Sequence, residues 1–115
     1  MPFEDARRYL KDILDSIDAI QRFVYGMSAA SYAEDEKTQA AVERKMLVLS
    51  EAAIRLKDEA AVLCPGVPWH EVRGIGNWLR HQYDHVELDI VWNAIQDDLP
   101  PLRAAVEKAL TSAEP

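Results

Sequence analysis

The sequence predicts an all-α chain, an up-and-down bundle of about five helices. Three observations carry this. Apolar residues recur at alternating spacings of three and four through most of the 115 residues. Proline falls between those stretches rather than within them. No segment shows the alternation of a half-buried strand.

The first helix spans residues 3 to about 26. Ala6, Leu10, Ile13, Ile17, Ile20 and Val24 form a heptad-like seam, with Arg7, Arg8, Lys11, Asp12, Asp15, Asp18 and Arg22 mostly off it. Gly26 suits a helix stop. Residues 27 to 34 read as a polar connection, with Ser31-Tyr-Ala-Glu34 as a candidate capping box. A second helix runs from about Asp35 to Leu63 along Val42, Met46, Leu49, Ala53, Leu56, Ala60 and Leu63. Met46 is core filler on that seam, and Glu51 beside it is solvated or paired. The short loop between the two seams implies an antiparallel pair.

Cys64-Pro-Gly-Val-Pro68 breaks the pattern, and Pro68 fits the first turn of a third helix. Gly74 and Gly76 lie inside that helix. Each costs about 1 kcal/mol relative to alanine there, which implies close approach of another backbone or a ligand. Leu88, Val91, Trp92 and Ile95 make a fourth, short helix. Asp98-Leu-Pro100-Pro101 is a break followed by a helix start. The fifth helix uses Leu102, Val106, Ala109 and Leu110 and frays through 111 to 115.

The third helix concentrates the chemistry. From Arg73 to His85 it holds two of the three histidines and two of the four glycines. On a helical wheel Arg73, Asn77, Arg80, His81, Asp84 and His85 share an arc of about 100°. Val72, Ile75, Trp78, Leu79, Gln82 and Val86 lie opposite. Tyr83 sits at the border, about 200° from His81, with Val72, Gly76 and Leu79 as its wheel neighbours. An imidazole can move a proton near neutral pH, and a guanidinium can hold a phosphate. Together they fit metal-free cleavage of RNA, whose 2′-hydroxyl is an internal nucleophile. With so few histidines, two acid–base groups would require two chains face to face. His81 and His85 stand i, i+4, a spacing that can share a metal. The further ligands of a metal motif are missing from the sequence, so no metal and no cofactor are expected. A plain solvated helix face is the competing reading.

Composition bounds the function. A net charge of −7 argues against broad, sequence-blind nucleic-acid binding, so any RNA site must be local to the central arginines. Cys64 stands alone, which excludes an internal disulfide and favours a cytoplasmic location and a buried, inert thiol. No apolar run is long enough to span a membrane, and no cleavable signal pattern opens the chain. The chain reads as one domain, 1–115.

Several segments together resemble the HepT-like family, a branch of the HEPN domains. They are Ala41-Val-Glu-Arg44 through Ser50-Glu-Ala-Ala53, then Val67-Pro-Trp-His-Glu-Val72 and Asn77-Trp-Leu-Arg-His81-Gln-Tyr83. Ile90-Val-Trp92 and Asp98-Leu-Pro100 complete the set. The resemblance implies a helical homodimer with a cleft between protomers, acting as a metal-independent ribonuclease toxin. It also implies a minimal nucleotidyltransferase antitoxin, MntA, that silences the toxin by attaching AMP to a tyrosine. The family motif is an arginine, four to six residues, a histidine, one residue and a tyrosine. His81 and Tyr83 match its second half, so Tyr83 is the expected AMP acceptor. The arginine normally precedes the asparagine, here Asn77, and that slot holds Gly76. Arg80 and Arg73 lie within about 60° of its direction and can deputise. On this reading the Tyr83 hydroxyl has an open path past Gly76 toward Arg80. The departure at Gly76 leaves two functions in view besides a plain oligomerisation module. One is an active ribonuclease; the other is a catalytically weak binding partner of a nucleotidyltransferase.

Overall fold

A computed structural model describes residues 3–112. The all-α expectation holds: among the described residues there are seven α-helices, one π turn and no strand. The helices are α1 (Phe3–Phe23), α2 (Ala29–Ala33), α3 (Glu36–Leu56), α4 (Glu59–Leu63), α5 (Trp69–Arg80), α6 (Leu88–Asn93) and α7 (Leu99–Ser112). Five carry the bundle, and α2 and α4 are single turns.

Every residue of the α1 seam from Ala6 to Val24 is buried, and α1 packs chiefly on α3 and α7. Each fully buried Leu or Ile contributes about 1.5–3 kcal/mol, so this stripe is the main cement of the bundle. Polar ties fix the helix directions. Arg103 Nε donates to Asp18 Oδ1 at 2.6 Å, and Arg7 Nη1 donates to the Leu110 carbonyl at 3.2 Å. High numbers on α7 therefore meet low numbers on α1, and the two run antiparallel.

The connection after α1 differs from expectation. Gly26, at φ +78°, ends the helix region as anticipated. The capping box, however, starts at Ser28 rather than Ser31: Ser31 N–H donates to Ser28 Oγ, and Ser28 N–H donates to Ser31 Oγ. The turn it starts, α2, points Tyr32 inward. Tyr32 is fully buried, its ring 5.5 Å from that of Trp92. Its hydroxyl has no hydrogen-bond partner among the described residues, and burial pushes its pKa up to about 12.

The expected 35–63 helix is two helices. Asp35 caps α3 by accepting from Thr38 N–H at 2.9 Å. The seam from Val42 to Leu56 is buried, as is Ala60 beyond it. The backbone breaks at Lys57, which adopts φ +53°. The apolar rhythm crosses the break, which is why sequence alone reads one helix.

A break is also replaced by continuity near the C-terminus. Ala94–Asp98 is a π turn that runs straight into α7. Pro100 and Pro101 have no N–H to give to a carbonyl four residues back. The wider turn accommodates them, and Leu99 N–H reaches back five residues to the Ala94 carbonyl. Thr111 and Ser112 remain helical, whereas 113–115 lie outside the described residues. No helix among the described residues is long and apolar enough to cross a membrane.

Candidate functional site

Helix α5 is built from α3 upward. Trp69, Val72, Gly76 and Leu79 are its buried residues, and α3 is the helix it packs on. At its start the Trp69 indole Nε1 donates to the Cys64 carbonyl at 3.0 Å. Cys64 is buried, which pushes its thiol pKa up and keeps it a packing residue.

The two helices come close together at Gly76. Ser50 of α3 is buried at 1% exposure and faces it. Ser50 Oγ donates to the Arg73 carbonyl at 2.9 Å and accepts from Gly76 N–H at 3.0 Å. A Cβ on Gly76 would lie 3.1 Å from that oxygen. The expectation of close approach therefore holds at Gly76. At Gly74 no other backbone comes close: a Cβ there would meet nothing within 4 Å.

The two deputy arginines have different positions. Arg73 Nη2 donates to the Lys57 carbonyl at 2.7 Å, and its Nε donates to the Ala53 carbonyl at 3.3 Å. It closes the end of α3 and offsets the cost of the positive φ at Lys57. Arg80 is exposed and folds back over Gly76. Its Nη1 lies 3.4 Å from where a Gly76 Cβ would be, so its guanidinium fills space that the motif arginine's stem would occupy. Asn77, on the outward side of α5, is also exposed.

The central stretch is not helical to its end. α5 stops at Arg80, and His81 is its C-cap, with its N–H donating to the Asn77 carbonyl at 3.2 Å. Two tight turns follow: Gln82 N–H donates to the Leu79 carbonyl and His85 N–H to the Gln82 carbonyl, each at 3.0 Å. The polar arc thus holds for Arg73, Asn77, Arg80 and His81 and dissolves for Asp84 and His85. The i, i+4 relation of His81 and His85 is not a helical one. The wheel position of Tyr83 is likewise corrected. Tyr83 sits in the turn, 89% exposed, rather than at a core border beside Val72 and Leu79. Its expected path past Gly76 is closed, because Gly76 is buried under Ser50, Leu47 and Arg80. Among the described residues no three His, Cys, Asp or Glu side chains converge on one point.

Two features escaped the sequence. Ser50 gave only the signal of a small polar residue beside an apolar seam. The other is a groove of about 830 Å³ on the far side of α5. Gly74, Ile75 and Trp78 of α5 line one wall, and Ile90, Val91 and Leu99 contribute to the other. Glu71, Asp97, Asp98 and His70 are also in the lining and give it a polar rim.

Known proteins share this sequence pattern along nearly its whole length. A family model described as Ribonuclease HepT-like matches residues 13–109. The chain is 31% identical over 100 residues to a Thermococcus cleftensis protein named "Probable ribonuclease HepT", covering 87% of this chain and 91% of the relative. Two proteins named "Putative RNase" are comparably similar. One, from Methanocaldococcus jannaschii, is 30% identical over 114 residues, 99% of this chain and 94% of the relative. The other, from Caldanaerobacter subterraneus, is 30% identical over 104 residues, 90% of this chain and 93% of the relative. No solved structure matches the chain at a significant level.

Proposed function

Because the chain belongs to the ribonuclease HepT-like family, we propose that it is the toxin of a toxin–antitoxin pair and cleaves RNA without a metal. The observation that supports this most is the end of α5. There Arg80 is drawn over Gly76 and sits one residue before His81, at an exposed helix C-terminus. Arg80 holds the scissile phosphate and stabilises its developing charge, with Asn77 one turn earlier as a further donor. His81 removes the 2′-hydroxyl proton as that oxygen attacks phosphorus. The 5′-oxygen leaves and takes a proton, so the products are a 2′,3′-cyclic phosphate and a 5′-hydroxyl. One chain offers one imidazole at this point; His81 of the partner subunit in a homodimer supplies the second. The groove supports a dimer, since Ile75, Trp78 and the 51%-exposed Ile90 form an apolar surface next to α5.

A partner nucleotidyltransferase silences the toxin by attaching AMP to Tyr83. The 89% exposure of Tyr83 supports this, since an enzyme can reach its hydroxyl directly. The added phosphate competes with RNA for Arg80. Arg73 serves the protein differently, as the clamp on α3 described above.

The test is cleavage of RNA in EDTA. His81→Ala is expected to lower the rate by about 10²–10⁴-fold with the fold intact, and Arg80→Ala to weaken it. Sedimentation at micromolar protein is expected to give a dimer. Co-expression with the cognate nucleotidyltransferase is expected to add AMP on Tyr83 and none to Tyr83→Phe. Loss of cleavage in EDTA, a monomeric mass, or AMP on Tyr9, Tyr25 or Tyr32 would each defeat the corresponding part.

A second reading is favoured by Gly76 and by the engagement of Arg73. In it the protein binds a nucleotidyltransferase but cleaves weakly or not at all. Absence of cleavage in the parent and in Gly76→Arg combined with Ser50→Ala selects it.

A further inference from the structure

The outer surface of α1, α3 and α5 carries a second group of arginines, away from His81. On α3, Ser50 faces α5; Glu51, Arg44 and Arg55 then lie about 100–140° round the helix from it. All three are exposed, so they form the outward side of α3 between α5 and α1. Arg80 borders this side through its position near Leu47.

At the α1 edge a guanidinium meets a phenol, with a second guanidinium nearby on α3. Arg8 Nη2 donates to Tyr9 Oη at 3.0 Å, and the Arg8 Cζ lies 4.9 Å from the centre of the Tyr9 ring. Arg55 of α3 is close enough to act on the same phenol, and its Nε donates to Glu51 at 3.2 Å. The Arg8 guanidinium, then that of Arg55, holds the Tyr9 phenol below its ordinary pKa. Tyr9 is half-buried against the core, so the group has a fixed base. Its oxygen accepts from arginine and keeps its own hydrogen to give. Each guanidinium has five N–H donors, more than these contacts use. Asp5 and Asp12 act on Arg8 and Glu51 pairs with Arg55, so it is the grouped N–H donors rather than net charge that set this place apart.

We propose that Arg8, Tyr9 and Arg55 bind a backbone phosphate of the RNA strand, remote from the phosphate that is cut. This rests on the ribonuclease reading above. The guanidiniums supply charge and paired donors, and the Tyr9 hydroxyl donates a third hydrogen bond. α5 runs antiparallel to α3, since Arg73 meets Ala53 and Lys57 while Gly76 meets Ser50. From the level of Gly76, His81 lies five residues one way and Arg55 five residues the other. The two points are therefore about 15 Å apart along the helices. The strand crosses from Arg80 to Arg55 and Arg8, with Arg44 beside its His81 end. A dinucleotide cut at His81 does not reach the remote group; a longer strand does.

The experiment compares a dinucleotide with a hexanucleotide of RNA, using the full chain. Binding is read by anisotropy on a 2′-O-methyl hexamer, and cleavage on both unmodified lengths. The double variant Arg8→Gln/Arg55→Gln is expected to bind the hexamer about tenfold more weakly. Its log–log salt slope is expected to fall by about 0.7 for each phosphate that the variant no longer neutralises. Dinucleotide cleavage stays unchanged. Tyr9→Phe, which keeps the ring, is expected to show a smaller loss in the same direction. Unchanged hexamer binding overturns the proposal, and so does equal loss on both lengths. In either case a parent that cleaves RNA leaves the ribonuclease reading standing. A parent that neither binds nor cleaves RNA overturns both.

Discussion

Ser50 and Gly76 form a pair whose coupling can be measured. Replacing glycine by alanine inside a helix ordinarily gains about 1 kcal/mol. At position 76 the new Cβ would stand 3.1 Å from Ser50 Oγ, so the oxygen must retreat. It is held by two hydrogen bonds of 2.9 and 3.0 Å, each worth about 0.5–1.5 kcal/mol. Arg80 Nη1, at 3.4 Å, is the tip of a flexible side chain and moves at little cost. Stretching both Ser50 bonds outweighs the helix-propensity gain, and Gly76→Ala is expected to destabilise by about 1 kcal/mol. With Ser50→Ala already made, the obstacle is gone, and the same change is expected to stabilise by about 1 kcal/mol. The double-mutant cycle should therefore show a coupling of about 2 kcal/mol. Urea unfolding of the four proteins, with a common slope, measures it. Equal effects of Gly76→Ala in both backgrounds would refute the argument, because Ser50 would then be yielding freely. The same geometry bears on activity: Gly76→Arg carries this Cβ, so restoring the family's arginine works best together with Ser50→Ala.

Two further outcomes concern stability. Tyr32→Phe keeps the ring against Trp92 and removes a fully buried hydroxyl that has no partner among the described residues. It is expected to stabilise by about 1 kcal/mol, a rise of several degrees in Tm, and a loss of that size would reveal a partner for the oxygen. The Asp35 carboxylate is held below its usual pKa by the Thr38 backbone N–H and then the Thr38 hydroxyl. Its charge thus contributes stability that is present above the ordinary value of 3.8 and fades as pH falls through the lowered one. Asp35→Asn, which still caps, is expected to trail the parent at neutral pH and converge with it in acid; a constant gap across that range would show that ionisation plays no part.

The bundle was legible because its helices bury narrow stripes, and α1 illustrates this: six seam positions read from spacing are six buried residues. What was not legible was set by contacts between distant parts. Nothing local marks Lys57 as a helix end; Arg73, sixteen residues on, holds the carbonyl there. Tyr32 reads in sequence as part of a polar loop, and only the ring of Trp92 shows why it is core. The end of α5 departs from its expected position for a related reason. Past Leu79 the apolar stripe thins to Val86, which two turns deliver as well as a helix would. His81, as the C-cap, keeps the side that its spacing gives it, whereas those same turns carry Tyr83 away from its wheel position.

The groove leaves α5 leaning on α3 from one side. A helix docked on one side can detach while the rest of the domain stays folded, so its amides are expected to exchange through a cheaper opening than those of α1. Arg80 and His81 ride on that helix, and they stand in register only while it is docked. Whatever fills the groove and binds only the docked form shifts that equilibrium by RT ln(1 + [L]/Kd). Groove occupancy and site order are therefore linked thermodynamic variables. In the homodimer proposed above, where a second copy fills the groove, protein concentration alone would set the fraction of time for which the residues at the end of α5 exist as a site.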